Sequence, residues 1–82
     1  MRAQLREILA RHTGLDLERL GDEGDLWRAG MTSKRAVRAM LEIEDELGIE
    51  FPPEALTHAG FSSVTAIAAA VERAASARQG VS

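Results

Sequence analysis

Apolar side chains recur three or four residues apart in three separate stretches of this chain. That spacing places them on one face of a helix, so the pattern predicts three main helices. We place these helices over about residues 3–12, 33–47 and 63–76. Gly14 lies two residues after the first helix and Gly48 directly follows the second, and glycine is a common helix terminator.

The second and third predicted helices each carry a regular apolar face that is expected to pack on the core. On the second helix, the predicted inner positions are Ala36 or Val37, Met40, Ile43 and Leu47. On the third, they are Val64, Ile67, Ala68, Val71 and Ala75. Ser62 or Ser63 is expected to cap the third helix, because a serine hydroxyl can accept a hydrogen bond from its first turn.

The segments between the helices read as loops with short turns. Residues 13–25 are rich in glycine and acidic residues and predict a long loop, held to the core by leucines. Leu26 and Trp27 are expected to anchor a turn before Gly30. Pro53 favours a single helical turn that ends at Leu56. The predicted fold is therefore an all-α bundle of three main helices plus one short helix, with a long first loop.

Composition narrows the class of protein. A chain of 82 residues is enough for one small domain, which we place over residues 1–82 with a frayed tail at 77–82. The chain has no cysteine, which excludes disulfides and thiolate metal sites. A net charge of −3 argues against nucleic-acid binding, and no apolar run approaches the roughly 20 residues of a membrane span. We expect a free-standing cytoplasmic monomer.

Ser33 is the strongest candidate for chemistry. It lies in the run Gly30-Met31-Thr32-Ser33-Lys34, in a turn at the predicted start of the second helix. Free backbone N–H groups and the positive end of the helix dipole make such a position suitable for an anionic group. Ser33 therefore has two readings from the local pattern: it carries a phosphodiester-linked cofactor, or it caps the helix.

Several segments together resemble the acyl carrier protein family, which includes the peptidyl and aminoacyl carriers. The resemblance covers nearly the whole chain, and the segments that carry it are Asp25-Leu26-Trp27, Gly30-Met31, Val37 to Leu47, Gly48 to Pro52 and Phe61 to Ile67. In that family, a serine in a Gly-hydrophobic-Asp-Ser-Leu motif carries 4′-phosphopantetheine, whose thiol holds cargo as a thioester. By position, the resemblance implies that this serine is Ser33.

Two residues depart from the family motif. Thr32 stands where the family usually has aspartate, and Lys34 stands where it usually has leucine. Threonine can still cap a helix, but the sequence leaves open whether the missing carboxylate and the added charge impair modification. The start Gly30-Met31-Thr32-Ser33 looks more like the atypical aminoacyl carrier proteins, onto which stand-alone homologues of aminoacyl-tRNA synthetases load the amino acid. The segments Leu5 to Ala10 and Ile49 to Pro52 are also close to that subgroup.

The resemblance also implies partners and a passive role. The expected partners are a phosphopantetheinyl transferase, a loading enzyme (synthetase-like or an adenylating ligase), and a downstream transferase or synthase. The chain itself is then no enzyme, and it holds no metal. The residues expected to dock partners are Met31, Thr32, Lys34, Arg35, Arg38 and Leu41. The sequence does not identify the cargo, which is an amino acid or an acyl or polyketide chain.

Three other functions would use the same residues differently. A cofactor-free helical adaptor would keep the same fold and use Ser33 as a cap. The charges of the second helix would then form a solvated face with pairs such as Arg38–Glu42. His12 and His58 suggest a serine hydrolase or a metal site, but nothing in their spacing supports either. A helix-turn-helix nucleic-acid binder conflicts with the acidic balance.

Overall fold

The computed structural model describes residues 1–79, and the chain in this range is helical. The α-helices are α1 (Arg2–Thr13), α2 (Leu17–Leu20), α3 (Leu26–Ala29), α4 (Ser33–Leu47) and α5 (Val64–Gln79), and two 3₁₀ turns cover Pro53–Ala55 and Ala59–Phe61. Residues 1–79 contain no β-strand. The all-α prediction is confirmed, with the three predicted main helices as α1, α4 and α5.

The core lies where α1 meets both α4 and α5. Leu5, Ile8 and Leu9 of α1 are fully buried there, together with Ile43 of α4 and Ile67 of α5. One continuous apolar cluster joins these residues to the turns that connect the helices. Burial of side chains of this size contributes about 1.5–3 kcal/mol each, which makes this cluster the main source of stability.

The predicted first loop contains a helical turn that the pattern did not reveal. In α2, Leu17 is buried, and the Asp16 carboxylate accepts a hydrogen bond from the N–H of Arg19 at 3.3 Å. Leu15 and Leu20 pack against the core from either side of Leu17, as expected for a loop that is held by its leucines.

Two expectations about helix ends are also resolved. The Ser63 hydroxyl accepts a hydrogen bond from the N–H of Ala66 at 3.0 Å, so Ser63 rather than Ser62 caps α5. Residues 77–79 continue α5, so the tail predicted to fray from residue 77 is helical that far. The rest of that predicted tail, residues 80–82, lies outside the described residues.

The buried stripe of α4 differs from the predicted one at several positions: Ala39 was not predicted, Met40 and Leu47 are only partly buried, and Val37, one of the two candidates for the first position, is exposed. The buried positions are Ala36, Ala39 and Ile43, whereas Val37 is 50% exposed. Ala36 and Ala39 fill the inward positions on this part of α4, and Val37 faces outward. Its expected place in the core is therefore wrong.

An ionic cluster joins the first loop to α1 and α5. Arg6 donates hydrogen bonds to both Asp22 carboxylate oxygens at 2.9 and 3.0 Å, and Arg2 donates to Asp22 at 3.1 Å. The backbone carbonyl of Asp22 also accepts the N–H of Thr65 at 3.1 Å. The hydrogen bond from Arg6, reinforced by Arg2, lowers the pKa of Asp22 below its ordinary value of 3.8.

We expect Asp22→Asn to destabilise the fold at neutral pH and to have less effect in acid. A lowered folded-state pKa gives stability that is complete above the unfolded pKa and is lost as pH falls through the folded value. The difference between wild type and Asp22→Asn should therefore shrink between pH 7 and about pH 2 in urea unfolding. Asp45→Asn, at an exposed carboxylate, is the matched control. An Asp22→Asn deficit that stays constant across this range would contradict the assignment.

Candidate functional site

Ser33 is the first residue of α4, and its side chain is exposed. The preceding residue, Thr32, has extended backbone and accepts a hydrogen bond on Oγ1 from the N–H of Arg35 at 3.3 Å. Thr32 is therefore the cap of α4, and the alternative reading of Ser33 as the cap is wrong. No hydrogen bond joins the Ser33 hydroxyl to another group in residues 1–79, so it is available for reaction.

The turn before Ser33 is built by its own side chains and backbone. Asp25 caps α3 by accepting the N–H groups of Trp27 and Arg28 at 3.0 and 3.2 Å. Gly30 has a φ of 121°, in the left-handed region that favours glycine, and Met31 donates its N–H to the Leu26 carbonyl at 3.0 Å. Met31 itself is only 5% exposed, because its side chain packs into the core.

An open groove of about 260 Å³ lies beside Ser33. Its walls are mostly apolar and come from α4, from Trp27 and from the segment around the second 3₁₀ turn. The residues that line it are Trp27, Ser33, Ala36, Val37, Met40, Leu56, Thr57, His58 and Phe61. A group attached to the Ser33 hydroxyl would start at the edge of this groove.

Trp27 and His58 form one wall of the groove as a stacked pair. Their ring centroids are 4.6 Å apart with an interplanar angle of 17°, and Trp27 Nε1 donates to the His58 carbonyl at 2.8 Å. Trp27 packs against the core through part of its surface, in agreement with its predicted anchoring role. The stack fixes the 56–61 segment against the end of α3.

The two histidines do not form the arrangement of a serine hydrolase. His12 lies on α1, where its Nε2 pairs with Glu42 of α4. His58 has an aromatic partner, and no carboxylate of residues 1–79 hydrogen-bonds to its ring. No group of three or more potential metal ligands occurs within the described range either.

None of the helices there combines the length and apolar character needed to cross a membrane.

The acidic residues of α4 are engaged inside the molecule. Glu42 pairs with Arg11 and His12 of α1, not with Arg38 as the i, i+4 spacing predicted. Glu46 also pairs with Arg11, at 3.3 Å. The neighbouring Glu46 carboxyl and the hydrogen bond with His12 lower the pKa of Glu42, and the neighbouring Glu42 carboxyl raises the pKa of Glu46.

The predicted docking residues do not all reach the surface in the same way. Lys34, Arg38 and Leu41 are exposed on α4. Arg35 is exposed too, but its guanidinium donates to the Thr13 carbonyl at 3.2 Å and so joins α4 to the end of α1. Buried Met31 has to be removed from the docking surface. Thr32 stays exposed and acts as the cap.

Two exposed apolar residues near Ser33 escaped the sequence reasoning. Val37 is 50% exposed, and Leu56, across the groove, is 48% exposed. Val37 lies four residues from both Ser33 and Leu41, so counting helical turns from Ser33 would have placed all three on one side of α4. No signal in the sequence distinguished Leu56 from a core leucine.

Comparison with known proteins supports one family. A family model described as a phosphopantetheine attachment site matches residues 3–71. A curated relative, the aminoacyl carrier protein of Agrobacterium fabrum, is 42% identical over 69 residues, which span 82% of this chain and 83% of the relative.

Solved structures agree with this comparison. One is a carrier protein from Agrobacterium tumefaciens in a crystal structure with an engineered Bradyrhizobium japonicum glycine:[carrier protein] ligase and AMP. It is 40% identical, with a TM-score of 0.80 over 88% of this chain and 99% of that chain. Another is the solution structure of ATC2521 from Agrobacterium tumefaciens. It is 36% identical, with a TM-score of 0.76 over 98% of this chain and 99% of that chain.

Proposed function

The chain belongs to the phosphopantetheine-attachment family of carrier proteins, and on that basis we propose that Ser33 is the residue that carries its 4′-phosphopantetheine. The observation that supports this site most directly is the exposed Ser33 hydroxyl at the start of α4, with Thr32 already serving as the cap. A transferase would move the phosphopantetheine group from coenzyme A to this oxygen. The departing product is the adenosine bisphosphate part of coenzyme A.

The site suits the phosphodiester that results. The first turn of α4 contains no acidic residue, and Lys34 is the next residue along the helix. The positive end of the helix dipole and this cation both favour a negative group on Ser33. The reactive thiol belongs to the cofactor, which explains how a chain without cysteine can hold a thioester.

We propose that the cargo is an amino acid. The Agrobacterium fabrum relative is an aminoacyl carrier protein, and two of the similar solved structures hold the Agrobacterium tumefaciens carrier in complex with an engineered glycine:[carrier protein] ligase. An adenylating ligase of this kind would activate the amino acid as its adenylate. Ser33 would hold the phosphopantetheine, which would supply the thiol that receives the aminoacyl group from the adenylate as a thioester, with AMP as the leaving group. The catalysis lies with the ligase, and the carrier supplies recognition and a high local concentration of cargo.

The other partners follow from this cycle. A phosphopantetheinyl transferase is required before loading, and a downstream transferase or synthase is required to accept the amino acid. Because these enzymes draw on coenzyme A and ATP, we propose that the protein works in the cytoplasm.

The aminoacyl proposal is tested by loading the phosphopantetheine form of the chain with the Bradyrhizobium japonicum ligase, ATP and single amino acids. Intact mass should show that one small amino acid has been added to the chain. Hydroxylamine should remove it, because hydroxylamine cleaves thioesters. Octanoyl and longer acyl groups, offered with an acyl-carrier synthetase, should load poorly. Efficient long-chain acylation with no aminoacylation would contradict this cargo assignment.

A further inference from the structure

Arg35 makes two contacts in different parts of the structure, one through its backbone and one through its side chain. Its N–H donates to Thr32 Oγ1 at 3.3 Å, which closes the first turn of α4 around Ser33. Its guanidinium donates from Nη1 to the Thr13 carbonyl at 3.2 Å, at the end of α1. Arg35 therefore connects the turn that carries Ser33 to a different helix.

The end of α1 is a firm support for this contact. The Thr13 side chain is buried, and its hydroxyl donates to the Leu9 carbonyl at 2.6 Å and accepts the N–H of Leu15 at 3.2 Å. Gly14 then ends the helix and donates its N–H to the Ala10 carbonyl at 2.9 Å. The last carbonyls of a helix lack partners within it and carry the negative end of its dipole, so a guanidinium is a favourable partner for the Thr13 carbonyl.

The first turn of α4 has no other side-chain hydrogen bond to a neighbouring helix within residues 1–79. Thr32 caps only the turn itself, and the side chains of Ser33 and Lys34 are exposed. Ala36 is buried and adds packing, which is less directional than a hydrogen bond. The contact between Arg35 and Thr13 therefore constrains how this turn, and the Ser33 hydroxyl with it, is oriented against α1.

We propose that Arg35 is a positioning residue for phosphopantetheine attachment: it holds the first turn of α4 on the end of α1 and so presents the Ser33 hydroxyl to the transferase in one orientation. The proposal rests on the proposed function, in which Ser33 is the acceptor. In the transfer, the Ser33 oxygen forms a bond to the phosphorus that bears the pantetheine and releases its proton. The pyrophosphate bond of coenzyme A breaks, and adenosine 3′,5′-bisphosphate leaves with the electron pair. Misplacing a reacting atom by about 1 Å can slow such a step about 100-fold, so the orientation of this turn affects kcat.

Arg35→Met tests the structural part of this proposal in the unmodified chain, with no enzyme present. Methionine keeps an unbranched side chain and removes the guanidinium. Lys34→Met is the matched control, because it removes a neighbouring cation that forms no hydrogen bond or ion pair through its side chain within residues 1–79. We expect the backbone amides of Ala36 and Val37 to exchange with solvent about fivefold faster in Arg35→Met than in Lys34→Met, and the amides of α5 to stay unchanged. Equal exchange in the two variants, or a uniform increase across all helices, would overturn the proposal.

Transfer kinetics test the positioning role itself. With coenzyme A, magnesium and a promiscuous phosphopantetheinyl transferase, Arg35→Met should lower kcat about tenfold and change KM for the carrier less than about twofold. Lys34→Met removes the same charge from the same turn, and its loss of kcat should be at least about fivefold smaller. A rise in KM alone would mean that Arg35 contacts the transferase, and equal losses of kcat would mean that only its charge matters. Either result would overturn the positioning role.

Failure of this proposal is distinguishable from failure of the proposed function. Equal modification of the wild type and Ser33→Ala would contradict Ser33 as the acceptor. Modification of the wild type at Ser33, with an unchanged kcat for Arg35→Met, would contradict only the role of Arg35.

Discussion

Replacing Ser33 with alanine is expected to abolish attachment of 4′-phosphopantetheine and to leave the free energy of unfolding almost unchanged. The hydroxyl is the acceptor of the transferred group, so its removal leaves no oxygen for the new phosphodiester bond. The side chain is exposed and makes no hydrogen bond within residues 1–79, so the fold loses little. Intact mass after incubation with coenzyme A, magnesium and a promiscuous phosphopantetheinyl transferase measures the first effect. Urea unfolding measures the second.

The neighbouring residue provides a matched control with the opposite behaviour. Thr32→Ala removes the hydrogen bond to the N–H of Arg35 and should destabilise the fold by about 1 kcal/mol. The Ser33 hydroxyl remains, so modification should still proceed to one group per chain. We expect no structural role for Ser33, because Thr32 is the cap of α4. If Ser33→Ala lowered the free energy of unfolding as much as Thr32→Ala, that expectation would be wrong. Full modification of Ser33→Ala would place the attachment site elsewhere.

Among alanine substitutions in α4, Ile43→Ala is expected to produce the largest loss of stability, because Ile43 is the largest fully buried side chain of this helix. Ile43 is fully buried between α4 and α1, and truncating a buried isoleucine to alanine costs about 2–5 kcal/mol. Domains have about 0.05–0.15 kcal/mol of stability per residue, so this loss is a large share of the total for a chain of this size. Urea unfolding, monitored by the circular dichroism signal of the helices, measures the change in the free energy of unfolding.

Leu41→Ala is the control for this prediction because it lies on the same helix with its side chain 55% exposed. Its effect on stability should stay within about 0.5 kcal/mol, as expected for a surface substitution. The two variants remove apolar side chains of similar size from opposite faces of α4. A loss for Leu41→Ala that matches the loss for Ile43→Ala would mean that the burial pattern of α4 is wrong.

The main helices could be predicted because each is at least 12 residues long and carries a repeated apolar face. The four-residue helix α2 is a single turn, too short to show that repeat. Its cap by Asp16 is a local contact, whereas the burial of Leu17 depends on the fold. Val37 was misplaced for a related reason. Helical spacing alone allows Ala36 or Val37 to face inward, and only the tertiary packing decides that Ala36 does.

The position of Ser33 could be predicted, but its local role could not. Threonine and serine are both good helix caps, so the sequence could not tell which of Thr32 and Ser33 fills that place. The sequence could not predict the partners of Glu42 either. Arg38 is its near neighbour along the helix, whereas Arg11 and His12 reach it only because α1 lies against α4. The surface beside Ser33 is basic because α1, and not Arg38, supplies the partners of Glu42.

Localising the added group by fragmentation most directly tests the claim that Ser33 carries the cofactor. The wild-type chain is modified with coenzyme A and the transferase, digested, and analysed by tandem mass spectrometry under conditions that eject the pantetheine fragment. Residues 30–38 contain one serine, so a peptide from this region identifies its carrier residue without ambiguity once Thr32 is excluded by the fragment ions. We predict that the group lies on Ser33 and nowhere else. A group found on Ser62, Ser63 or any other hydroxyl would contradict this account of the site.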